Sequence, residues 1–158
     1  MMNKALIMIL IFGSILLPAL SFSQIKQYQF EQIDSLQKIE KKIVVVFIHT
    51  NWCRFCEAMK HTTFKNKELI NTLNKNFYFI NFDAEEKRSI AFNNNTFHYK
   101  PTGNRTGINE LAEQLGDING KVSFPGLCIL DADNQIIYQH NEFLSAKNFK
   151  TILHRLKE

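Results

Sequence analysis

Three residues, His49-Thr50-Asn51, separate the apolar run Ile43-Val44-Val45-Val46-Phe47-Ile48 from Trp52-Cys53-Arg54-Phe55-Cys56. A continuous β-branched run reads as a central strand buried on both faces. The residues from the motif through Met59 and Lys60 read as a helix. A strand that feeds directly into a helix opening with two thiols three positions apart constrains this chain more than any other feature. At a helix start the two sulfurs can close into a disulfide and reopen. The first of them, facing solvent and the helix N-terminal amides, is favoured as a thiolate. The spacing therefore points to a reversible redox pair, Cys53 and Cys56.

Other uses of these cysteines fit the sequence less well. There are three in all, and the third, Cys128, sits alone in the apolar segment Leu127-Cys128-Ile129-Leu130, where a small buried hydrophobe is expected. That set does not make a scaffold of structural disulfides, which takes an even, spread-out group. His49 and His61 flank the pair and complete a conceivable zinc set, but no second tight ligand pair exists, so no metal is assigned. Haem attachment needs histidine directly after the second cysteine, and Glu57 stands there. A purely structural bridge across so short a loop gains little chain entropy. His49, at the end of the strand, reads as a satisfied structural histidine.

The first 23 residues read as a signal peptide, and residues 24–158 as one domain. Lys4 is followed by apolar residues from Ala5 to Leu17, Pro18 breaks the run, and Ser21-Phe22-Ser23 offers small residues ahead of a cut before Gln24. The apolar stretch falls short of the roughly 20 residues of a membrane span, which leaves a retained anchor as the lesser reading. Export follows, to a periplasm or another extracytoplasmic space. The formal net charge is +4, with Lys and Glu interspersed, so no basic patch is built for nucleic acid.

Along the chain, Phe30, Ile33, Leu36 and Ile39 mark a first amphipathic helix ending near Lys41-Lys42. After the motif helix a second piece starts at Asn66, an N-cap, with Leu69, Ile70 and Leu73 inward. Phe77–Asp83 is a strand, the charged Ala84–Ala91 is expected to be helical, and Asn93–Gly107 to be a long loop. Ile108–Gly116 reads as a short helix stopped by Gly116. Ser123–Leu130 and Gln135–Gln139 form an antiparallel hairpin around the turn Asp131–Asn134. Ser145–Leu156 closes the chain as a helix. A βαβ crossover followed by a hairpin gives an α/β fold, a mixed central sheet with helices on both faces.

This order, the W-C-x-x-C and the proline-led strand some 70 residues later resemble the thioredoxin superfamily, from about Val44 to the C-terminus. The segment Thr63-Phe64-Lys65-Asn66-Lys67-Glu68 resembles the T-F-x-N/D-x-E stretch of small exported thioredoxin-like proteins. The resemblance implies that Cys53 is the attacking thiolate and Cys56 the resolving thiol, with Trp52 packed beside them. It makes Pro125 a cis-proline lying against the disulfide and the backbone of Phe124 a place for an extended substrate strand. Arg54 and Phe55 set the poise of the pair; the Arg54 guanidinium favours the Cys53 thiolate, and Glu57 opposes it. One departure stands out. Where thioredoxin has a buried acid and a lysine, this chain has Phe47 and Phe79, which leaves water or another group, such as Glu57, to take the Cys56 proton.

The expected activity is thiol–disulfide exchange with exported client proteins, chiefly as a reductase, with an upstream protein partner as electron source and no separate cofactor. No dimerisation segment is visible, so a monomer is expected, which argues against the isomerases of this superfamily. The alternatives are a disulfide oxidase or isomerase, or a non-catalytic binding module using the Asn93–Gly107 loop as its recognition surface.

Overall fold

The computed structural model describes residues 24–157, and the expected leader, residues 1–23, lies outside them. The β-branched run forms β1 (Ile43–His49), all but its first residue buried. It pairs in parallel with β2 (Phe77–Asp83), Ile43 opposite Phe77 and His49 opposite Asp83. On its other side it pairs antiparallel with β9 (Gly126–Leu130), and β10 (Ile136–His140) pairs antiparallel with β9. The sheet order is thus β10-β9-β1-β2, mixed as expected. Gln27 adds a parallel bridge to Phe79 at the β2 edge.

Strand alternation divides the core in two. Val44, Val46 and Ile48 face Phe30 and Ile33 of α1 (Phe30–Ile39) and Leu111 and Leu115 of α4 (Glu110–Gly116). Val45 and Phe47 face the other side, where α2 (Arg54–His61), α3 (Lys67–Asn76) and α5 (Ala146–Lys157) bury Cys56, Leu73 and Phe149. Helices therefore cover both faces. Among the described residues no helix is long and apolar enough to cross a membrane.

Several expectations are corrected. The segment 84–91 is not helical. Its charges pair outward, Arg88 with Glu31 and Glu86, and Asp83 Oδ1 accepts from the Glu85 N–H at 3.0 Å in a tight turn. Its apolar residues follow period two instead: Ile90 and Phe92 are buried and Ala91 exposed in β3 (Ile90–Phe92). The expected long loop is two hairpins. β3 turns into β4 (Asn95–Phe97) through Asn93 and Asn94, at φ 50° and 60°, the left-handed pair of a type I′ turn that asparagine tolerates. β5 (Tyr99–Gly103) returns as β6 (Thr106–Asn109), where a Cβ on Gly107 would lie 2.4 Å from the Tyr99 ring. Ile108 accordingly belongs to a strand, and α4 starts only after its cap, Asn109; Gly116 lies inside the helix, whose C-cap is Asp117.

Ile39, finally, is 84% exposed, and α1 stops there instead of reaching Lys41-Lys42. Steps of three accumulate to half a revolution over nine residues, which carries Ile39 to the side opposite Phe30. A short hairpin, β7 (Asp117–Ile118) with β8 (Lys121–Val122), follows α4 and turns at Asn119-Gly120.

Candidate active site

The strand-to-helix passage sets the geometry of the pair. Cys53 is the N-cap of α2, in extended backbone conformation, and its Sγ accepts the Cys56 N–H at 3.1 Å. Its own N–H donates to the Thr50 carbonyl at 3.3 Å, and its carbonyl accepts from Glu57 N–H at 3.1 Å. Cys53 and Cys56 form a disulfide with S–S 2.02 Å. The first sulfur thus sits where amide dipoles favour negative charge. Cys56 is fully buried and Cys53 only 5% exposed. The expectation that Cys53 faces solvent is corrected: both sulfurs belong to the buried cluster of Phe47, Met59 and Leu127.

Around the pair, Trp52 and Phe55 are about two-thirds exposed. The Trp52 indole N–H donates to Glu85 Oε1 at 3.1 Å, and its ring meets Phe124 edge-on, centroids 5.9 Å apart. The Phe124–Pro125 peptide is cis. Because Gly126 is opposite Ile48, Pro125 falls just past the ladder, beside the end of β1 that leads into the motif. Phe124 packs partly buried against both core clusters. Arg54 is exposed on the first turn of α2.

Glu57 is engaged by residues of its own helix. Its Oε1 accepts from Lys60 Nζ at 2.8 Å and its Oε2 lies 3.7 Å from His61 Nε2. The hydrogen bond from Lys60 holds its carboxyl below the usual carboxylate range, so it is a weak base at neutral pH. Phe47 and Phe79 lie in the cluster of the pair and stack edge-on against Phe64. Cys128 is buried on the opposite face, and burial pushes its thiol up to about 12. Among the described residues no group of three or more His, Cys, Asp and Glu is placed to hold a metal ion.

Of the residues expected at the site, Phe124 packs against both Trp52 and the cluster that holds Cys53 and Cys56, and the cis peptide to Pro125 lies beside the end of β1. Sequence reasoning missed Glu85 as the anchor of the indole, because that carboxylate comes from the turn after β2 and nothing local marks it. It also missed Lys60, which ties Glu57 to His49; one helical turn beyond Cys56, its position was the available signal.

Residues 29–157 match the family model described as thioredoxin-like domain. No curated protein matches the sequence. Several solved structures share the fold. A DsbH oxidoreductase is 15% identical, with 89% of this chain and 90% of that one covered and a TM-score of 0.59. A putative disulphide-isomerase from Bacteroides thetaiotaomicron is 16% identical, covering 85% and 93%, at TM-score 0.57. The C-terminal domain of Neisseria meningitidis DsbD, in its reduced form, is 20% identical, covering 79% and 90%, at TM-score 0.52. With a mixed sheet between helices, a CxxC disulfide at the start of α2 and a family match over nearly all its described length, the chain belongs to the thioredoxin-like domain family.

Proposed function

We propose that this chain is an exported thiol–disulfide oxidoreductase that reduces disulfides in client proteins, Cys53 attacking and Cys56 resolving. The observation that carries this reading is the asymmetry of the pair: Cys53 caps α2 and receives an amide hydrogen on its sulfur, while Cys56 is sealed behind it. A thiolate at Cys53 attacks one sulfur of a client disulfide; a mixed disulfide forms and the other client sulfur leaves as a thiolate. Cys56 then attacks Cys53 Sγ, the Cys53–Cys56 bond closes, and the second client sulfur departs. The client gains two electrons and the pair loses them, so a dithiol protein partner is required to reopen it. The exposed rings of Trp52 and Phe55, with Phe124 behind the indole, supply apolar surface for an unfolded client segment.

Export is read from the apolar run Ala5–Leu17, and thiol–disulfide chemistry from the disulfide at the start of α2, with a DsbH oxidoreductase and a putative disulphide-isomerase among the structures that share the fold. The test is substitution of the resolving thiol. Cys56→Ser is expected to accumulate client proteins joined to Cys53 through disulfides, visible on non-reducing gels and lost on adding reductant. Absence of such adducts in the compartment where the protein resides contradicts the reading.

A further inference from the structure

Resting on the thiol–disulfide reading above, the resolving step raises a question of charge. Cys56 becomes nucleophilic only as a thiolate, yet it is fully buried among Val45, Phe47, Met59 and Phe79. Apolar burial opposes that charge, as the raised thiol of Cys128 illustrates. Something on this face has to favour the anion. Glu57, next in sequence, carries the wrong sign.

Alternation along β1 puts His49 on the same face as Val45 and Phe47, the face that holds both sulfurs. His49 is 5% exposed and stacks on Phe47, with ring centroids 5.5 Å apart. Its Nδ1 lies 3.3 Å from Lys60 Nζ, and Lys60 is one turn beyond Cys56 on α2, on the same side of the helix. Lys60 in turn is held by Glu57. The charged groups facing this histidine are Lys60 and Glu57 from α2 and Asp83 from β2, its register partner. Phe64, Leu127 and Phe149, from the other elements packed into the cluster, carry no charge. Burial first, and the Lys60 ammonium second, hold the imidazole below its ordinary range, so it is neutral at physiological pH.

We propose that Lys60 and His49 act as a positioning pair that stabilises Cys56 as a thiolate during resolution. An ammonium has only protons to offer, so Lys60 donates to Nδ1 and fixes the tautomer with its proton on Nε2. The imidazole then lies stacked on Phe47, a member of the cluster that buries the pair, with the Lys60 ammonium behind it. The Cys56 proton leaves to solvent, the thiolate attacks Cys53 Sγ, and the departing client thiolate takes up a proton. One bond between sulfurs forms as one breaks, and no further reductant is needed. Glu57 acts in the opposite sense by partly neutralising Lys60.

The test uses the mature reduced protein and glutathione disulfide, followed by Trp52 fluorescence in a stopped-flow instrument. Attack by Cys53 gives a phase that scales with glutathione disulfide concentration; resolution by Cys56 gives one that does not. The pH dependence of the second phase is the readout. Lys60→Met is expected to move its rise to higher pH and slow it about tenfold at neutral pH, equivalent to about one unit in the thiol pKa. Glu57→Gln should move it to lower pH. His49→Phe should follow Lys60→Met, while His49→Gln, which keeps an N–H donor, should recover part of the rate. If Lys60→Met and Glu57→Gln leave the profile in place, or shift it in the same direction, the positioning role is overturned. If the wild-type protein shows no concentration-independent phase, the oxidoreductase reading falls and takes this inference with it.

Discussion

Two cysteines three positions apart end up in different physical situations because of one hydrogen bond. Both lie in one apolar cluster, but Cys53 Sγ accepts an amide at the helix start, whereas Cys56 is fully buried. Cys128 shows what burial does without such help, with its thiol pushed up to about 12. In the reduced native protein at pH 8, iodoacetamide is therefore expected to modify Cys53 and to spare Cys128 until the chain is unfolded. Mass spectrometry of the labelled peptides checks this, and comparable native labelling of Cys128 contradicts it. At this scale the site was partly legible. Cys53 and Cys56 announced themselves through spacing, and Trp52 and Pro125 through the resemblance to the thioredoxin superfamily, but Glu85 reaches the indole from a turn that only the tertiary fold brings near. Glu57 was legible in position, but its tie to Lys60, which lowers its proton affinity, was not.

At the scale of elements, the strands and helices with a strong apolar period could be read directly, and β1, β2, α2 and α5 lie close to where the pattern put them. The segment between β2 and α4 could not, since its pairings are set by turns. Asn93 and Asn94 held the one local signal, a left-handed asparagine pair, inside what otherwise looked like loop composition. Asn109 is the joint of this region. It is fully buried, its Oδ1 caps α4 through the Leu111 N–H at 3.0 Å, and its Nδ2 donates to the carbonyls of Glu86 at 3.1 Å and Arg88 at 3.3 Å. Asn109→Ala removes a buried cap and two further hydrogen bonds to part-buried carbonyls, a cost of about 3 kcal/mol. Asn66→Ala removes a cap that is only part-buried, at about 1 kcal/mol. Urea unfolding of the two variants measures the difference, and equal losses would contradict the joint described here.

For the whole molecule, the two-sided sheet sets the division of labour. One face, closed by α1, α4 and β3, holds a core with no part in the pair; the other, closed by α2, α3 and α5, buries the sulfurs among phenylalanines. The sheet, its helices on both faces and the position of the pair follow from the continuous β-branched run, helical patterning and the spacing of the two cysteines. The central claim, a reversible dithiol on this scaffold, is tested most directly by equilibrating the protein in thiol redox buffers and following Trp52 fluorescence. The account predicts a single reversible two-electron transition near about −270 mV, the range of thioredoxin-type reductants. A transition near about −120 mV would contradict the reductase direction, and a pair that never opens and closes reversibly would contradict the claim itself.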